Sequence, residues 1–217
     1  MKAIHQLIEE QVRRWEILRK EKRETKILSV ITLSREPGSG GKLVAKAVAD
    51  RLGLELFHQE IINAMAANAD ISARVIRTLD ERGVSMLEDW VSAAISDRHL
   101  WPDEYAQVMM RVIGTIGRHG KAIIVGRGAN FVLPPENRFR VRIIAPLEMR
   151  VDRVAETFGV AKKEAKRRVL RTESDRRAFV RKYFHSDIRD PANYDMILNT
   201  GTLAIESAAA AVCSAVG

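Results

Sequence analysis

Residues 26–53, "KILSVITLSREPGSGGKLVAKAVADRLG", decide how the chain is read. The first nine form a continuous run rich in β-branched residues, the pattern of a strand buried on both faces in a parallel sheet. Residues 42–53 carry apolar positions at helical spacing and stop at Gly53, a helix-ending residue. Between the two lies the run Gly38, Ser39, Gly40, Gly41. Strand, glycine loop and helix in that order set backbone N–H groups at a helix N-terminus, where the dipole favours an anion.

The standard phosphate loop, G-x-x-x-x-G-K-[ST], supplies wrapping N–H groups, a lysine that neutralises phosphate and a hydroxyl that holds magnesium. Two registers are open here. If Lys42 is the lysine, Gly41 precedes it correctly, but Glu36 replaces the first glycine and Leu43 the hydroxyl residue. If Gly40 is the last loop glycine, Gly41 falls at the lysine, Lys42 at the hydroxyl and Arg35 at the first glycine. Neither satisfies the pattern, yet both keep flexible donors beside a cation. Ser39 is the nearest hydroxyl in the run and the candidate magnesium contact.

Outward from the loop, "LELF" (54–57) is a second strand and "QEIINAMAANA" (59–69) a second helix. Residues 70–119 read as helices, broken at Gly83 and near Trp101-Pro102, with Tyr105, Val108, Met109, Val112 and Ile116 on one face. Strands return at "KAIIVG" (121–126) and "RFRVRIIA" (138–145); a helix starts near Leu147 and a charged one spans 161–182. "YDMILNT" (194–200) is the last strand, before a terminal helix. The expected fold is α/β: a doubly wound, mostly parallel sheet of about five strands with a helical insertion over 59–119 and a lid-like region over 160–190. Ligands are expected beyond the carboxyl ends of the strands.

Ile4, Ile8, Trp15 and Leu18 make an apolar stripe on an amphipathic N-terminal helix spanning residues 1–24, ahead of the domain at 26–217. Such a helix packs on the domain or on its copy in a homodimer. No apolar run approaches the roughly 20 residues of a membrane span. The lone cysteine, Cys213, and the absence of a signal-like N-terminus predict a cytoplasmic protein. The net charge of +8 is concentrated: residues 1–26 hold eight bases and five acids, residues 147–190 thirteen and eight. Arginines so gathered suit either nucleic acid or several phosphates on small molecules. His5, His99, His119 and His185 show no metal-ligand spacing with Cys213 or one another.

The segments "ITLSREPGSGGKLVAKAVADRLGLELFHQEII" (31–62), "AIIVGRGANFVL" (122–133), "RIIAPLEMRVDRV" (142–154) and "RRAFVRKYFHSDIRDPANYDMILNT" (176–200) resemble the cytidylate kinase-like family, a branch of the P-loop nucleoside monophosphate kinases. Ser34-Arg35-Glu36 before the glycine run is characteristic of that branch, so its departure from the standard loop is familial. The resemblance implies transfer of the γ-phosphate of ATP, with Mg2+, to a nucleoside monophosphate such as CMP or dCMP. That chemistry needs in-line positioning, charge neutralisation and exclusion of water.

By the same resemblance, Gly38, Ser39, Gly40, Gly41 and Lys42 are expected to bind ATP phosphates, with Asn199 near the donor base. Arg127, after a strand end, is the expected acceptor contact, and Arg150 and Arg153, three apart on a helix, join it. His58 stands where relatives carry an aspartate that contacts the acceptor, and Gly128 where they carry an acidic residue. In the lid-like stretch, which also holds Arg176 and Arg181, Arg171 and Arg177 are the first choices for catalysis. Arginine grips phosphate with a fork that stays charged. Asp175 would orient an arginine or a magnesium-bound water. Leu43, Gly128 and His58 keep open a nucleotide-binding regulatory or scaffold protein without turnover. A basic RNA- or DNA-binding module lacks an aromatic-rich motif to support it.

Overall fold

The computed structural model describes residues 3–20, 30–100 and 102–216. Five strands, β1 (Val30–Arg35), β2 (Glu55–His58), β3 (Ala122–Val125), β4 (Arg138–Ile144) and β5 (Met196–Asn199), form one sheet in the order β2-β3-β1-β4-β5. All four pairings are parallel, with Ile31 opposite Ile123 on one side and Phe139 on the other. Each expected strand is present with ends shifted by a few residues at most. Residues 26–29 of the first, residues 21–24 of the N-terminal helix and Trp101 lie outside the described residues.

Period-two alternation feeds two cores, as a sheet covered on both faces requires. Ile31, Leu33, Ile123 and Val125 face α2 (Gly41–Leu52) and α10 (Ile205–Val216), where Val44, Val48, Ala208 and Val212 are buried. Val30, Ala122 and Ile124 face the helical insertion, α3 (Gln59–Ala67), α4 (Ala69–Arg77), α5 (Glu81–Ser96) and α6 (Glu104–His119), together with the short α7 (Ala129–Val132). Beyond the carboxyl edge run α8 (Leu147–Phe158) and the long α9 (Lys162–Phe184). No described helix is long and apolar enough to cross a membrane.

The expected break at Gly83 is corrected: α5 runs through it, and the chain turns earlier, at Thr78–Asp80. Thr78 Oγ1 donates back to Val75 O at 2.6 Å, and Asp80 caps α5 by accepting from Gly83 N at 2.7 Å. Gly83 is a capping partner because an aspartate three residues ahead of it ends the loop.

The N-terminal helix, α1 (Ile4–Lys20), is built into the larger core. Ile8, Val12 and Trp15 are buried, and the Trp15 ring stacks on His119 at 4.3 Å and on Phe57 at 5.9 Å. Ion pairs Glu9–Arg74 (2.8 Å) and Arg14–Glu55 (3.1 Å) flank it, while Ile4, Leu7 and Ile17 stay exposed. Trp15→Ala is expected to lower unfolding free energy by about 3–5 kcal/mol in urea titration; an unchanged midpoint would mean the helix is dispensable.

His119 sits under Trp15, with Nε2 2.8 Å from Thr78 Oγ1. Burial, helped by Arg118, pushes the imidazole down to about 4. The unfolded chain takes up this proton near pH 6.5, so between those values it binds more protons than the fold does and stability falls as pH falls. Lowering the pH from 7 to 4 should cost on the order of 3 kcal/mol through this group. His119→Phe should flatten that part of the stability profile.

Candidate active site

The glycine loop leaves β1 at Arg35 and enters α2 at Gly41. Gly38 (φ 77°) and Gly40 (φ 75°, the N-cap) are left-handed, which glycine alone adopts freely. A Cβ on Gly38 would lie 2.4 Å from the Arg150 carbonyl oxygen. Because the helix opens at Gly41 behind a left-handed cap, the second register is the one present: Gly41 occupies the lysine position and Lys42 the hydroxyl position. No side chain fits at Gly41, where a Cβ would stand 2.5 Å from Arg35 Cβ.

Lys42 therefore leaves the lysine position; it is exposed on the first turn of α2 and pairs with Glu60 at 3.2 Å. Leu43 is 61% exposed. Ser39 is corrected as a magnesium contact: it is fully buried and its hydroxyl donates to Glu36 O at 2.9 Å. The loop is clamped from outside as well. Thr200 Oγ1 donates to Ser39 O (2.5 Å), and the Glu36 carboxylate accepts from Ala145 N (3.0 Å) with Arg150 Nε at 3.4 Å.

Between β1, β3 and α9 opens a cavity of about 270 Å³. Its walls include Arg35, Gln59, Arg127, Asn130, Asp175 and Arg176. It lies at the carboxyl ends of the strands where the sheet order reverses around β1, the place α/β sheets use for ligands. From α9 the positions 172, 175, 176, 179 and 180 face it, an i, i+3, i+4, i+7, i+8 stripe. That stripe sets the lid arginines apart from one another. Arg171 is exposed and outside it, and Arg177 lines a small neighbouring cleft with Glu36 and Arg189, whereas Arg176 faces the cavity. The apolar pair Phe179-Val180 marks the inner face and puts Arg176 on it; this signal was readable in the sequence.

Three of the walls are arginines, and among the described residues none of the three makes an ion pair. Arg35, 6% exposed, donates from Nη2 to Gln59 Oε1 at 2.9 Å, and Arg176 Nη1 donates to Arg35 O at 2.7 Å. Burial, then the charge of Arg176, pulls the Arg35 guanidinium down to about 9; Arg127 adds to this and Glu60 opposes it. Arg176 is held to about 10, chiefly by burial. Arg127 follows β3 in a run of three left-handed residues, Gly126 (85°), Arg127 (55°) and Gly128 (67°). A non-glycine residue held there stores about 1–3 kcal/mol, the kind of strain found at ligand clamps. Its guanidinium rests 5.0 Å over the Phe179 ring.

The remaining candidates lie elsewhere. Arg150 is corrected as an acceptor contact: it is buried under the loop, donating from Nε to Ala145 O (2.9 Å) and from Nη1 to Glu173 (3.0 Å). Arg153 moves to the opposite side of the loop, donating to Thr200 O at 3.0 Å with Nη1 3.6 Å from where a Gly40 Cβ would stand. His58 caps α3 beside Lys42; burial, then the Lys42 charge, lowers its affinity for a proton. Asn199 accepts from Gly201 N at 2.9 Å, shaping the turn after β5. Outside the cavity, many basic residues of the 147–190 stretch are paired, among them Lys162–Asp152, Arg168–Glu164 and Lys182–Asp103.

At Gly128 a Cβ would fall 2.0 Å from the Phe184 ring, so the acidic residue of the expected pattern is sterically excluded. Gly128→Ala combines positive φ with overpacking and should cost roughly 2–5 kcal/mol in chemical denaturation. A loss below the noise of the titration would show that Phe184 yields freely.

Residues 30–202 match the family described as "Cytidylate kinase-like family". Among curated proteins, the chain is 28% identical over 181 residues to a cytidylate kinase of Ignicoccus hospitalis, covering 83% of this chain and 94% of that one. It is 28% identical over 187 residues to a cytidylate kinase of Pyrococcus horikoshii, covering 86% and 88%. Among solved structures, an uncharacterized protein from Eubacterium ventriosum superposes with a TM-score of 0.70 at 22% identity, covering 87% of this chain and 97% of that one, a likeness of fold.

Proposed function

The chain belongs to the cytidylate kinase-like family, and from that premise we propose that it transfers the γ-phosphate of ATP to a nucleoside monophosphate, with CMP or dCMP as acceptor. The observation that carries this reading is the cavity beside the glycine loop, walled by Arg35, Arg127 and Arg176, which have no ion-paired counter-charge among the described residues. Buried cations left unpaired favour a ligand that brings the missing negative charge. The glycine loop fits a triphosphate, with left-handed Gly38 and Gly40 ahead of the α2 N-terminus.

The residues do not fit magnesium in the standard way. The hydroxyl position holds Lys42, which cannot ligate a cation, and Ser39 is buried on Glu36 O.

In the transfer, an acceptor phosphate oxygen attacks the γ-phosphorus in line, the bond to the β–γ bridging oxygen breaks, and ADP leaves. Arg176 and Arg127 hold the acceptor phosphate, Arg153 lies on the donor side of the loop, and α9 excludes water over the cavity. Asp175 faces the same cavity and offsets part of its positive charge.

The test incubates the protein with Mg-ATP and a panel of nucleoside monophosphates while following ADP and phosphorylated product. CDP from CMP is expected, and Arg176→Ala should reduce kcat by about 100-fold while Arg171→Ala leaves it little changed. The glycine at the lysine position favours a second reading, nucleotide binding without turnover. Saturable ATP binding with no phosphorylated acceptor would select it and remove the kinase.

A further inference from the structure

We propose that Arg35 replaces the absent loop lysine, gripping phosphate from the end of β1 rather than from the start of α2. The proposal rests on the cavity being a phosphoryl-transfer site, but the residue's affinity for phosphate can be tested without turnover.

Three observations converge on this residue. The lysine position cannot carry any side chain, because the Arg35 stem fills the space a Gly41 Cβ would need. Gly41 and Arg35 thus form a paired exchange: the helix gives up its cation, and the strand end supplies one whose stem passes Gly41 and whose guanidinium lies by Gly126 and Gln59. The second observation is the room made for the guanidinium. A Cβ on Gly126, after β3, would stand 2.5 Å from Arg35 Nη1, so the strained turn that presents Arg127 is also the turn that admits Arg35. Both cations then reach one cavity from adjacent strand ends.

The third is the unused donor. Arg35 is 94% buried by its 6% exposure, it lines the cavity, and its Nε has no hydrogen-bond partner among the described residues. Its single side-chain bond goes to the neutral amide oxygen of Gln59. A guanidinium offers five N–H donors in a fork, and leaving them unmatched in a buried site is costly unless a ligand completes them. Burial first, and neighbouring arginines after it, lower the proton affinity of Arg35 and Arg176. Chemically, the ligand is a phosphoryl group with at least two oxygens free to meet the fork. Rooted at the glycine loop and projecting into the cavity, Arg35 would touch acceptor phosphate and transferring phosphoryl together.

The experiment compares the full chain with Arg35→Met, of similar length and no charge, and Arg35→Lys. Thermal unfolding is followed with and without millimolar inorganic phosphate, and kcat and KM are measured with Mg-ATP and CMP. Without anion, Arg35→Met should melt cooperatively and no lower than the wild type, since a buried unpaired charge has been removed. Phosphate should raise the melting temperature of the wild type, partly that of Arg35→Lys, and not that of Arg35→Met. In the kinase assay Arg35→Met should lose about 100-fold in kcat, with Arg35→Lys between the two. An equal phosphate-induced rise in all three proteins, or no rise in the wild type, overturns the proposal, as does a kcat of Arg35→Met within about twofold of wild type. If the wild type phosphorylates no acceptor, the kinase reading fails while the phosphate shift still decides the role of Arg35.

Discussion

The carboxyl edge of the sheet depends on how closely α8 approaches the glycine loop. The Arg150 carbonyl fills the space of a Gly38 side chain, and the Arg150 guanidinium reaches Ala145 O, Glu36 and Glu173. One buried side chain thereby joins the loop, the β4–α8 connection and α9. Glu36, at a position where the standard pattern tolerates any residue, accepts from the Ala145 N–H and forms ion pairs with Arg150 at 3.4 Å and Arg142 at 3.9 Å. The loop is thus shaped by side-chain pairing from β4 and α8, and its glycines are required chiefly by what lies against them.

Much of the fold could be read because burial on both faces writes itself plainly into short β-branched runs. β3 and β4 are legible nearly to the residue, and the helical face of α6 is visible in its apolar spacing. Gly83 was misread because propensity says nothing of a cap: Asp80, three residues earlier, moved the break. The loop register could not be decided from spelling, since one alignment breaks two positions and the other three. Only the left-handed caps, a property of backbone geometry, separate them.

The site was less legible, for a physical reason. Along α9 nearly every turn offers an arginine, and a charged side chain is equally at home in water or against a phosphate. What distinguishes Arg176 from Arg171 is the apolar stripe beside it. Arg150 and Arg153 look equivalent at three-residue spacing, yet one lies under the loop and the other beside Gly40. Arg35 was invisible as a site residue because its position is normally a glycine. Many basic side chains outside the cavity pair with carboxylates, whereas among the described residues Arg35, Arg127 and Arg176 make no ion pair, and this contrast appears only when the chain is folded.

The span that matches the family, residues 30–202, stops short of the folding unit at both ends. Ahead of it, α1 buries Ile8, Val12 and Trp15 in the larger core, with Trp15 stacked on Phe57 and His119; behind it, α10 lays Ala208, Ala209 and Val212 over α2. A fragment cut at the family's borders would expose an apolar groove on each face of the sheet, one lined by aromatic rings and one by small aliphatic residues. What is shared by descent and what must be present to fold are therefore different stretches of this chain.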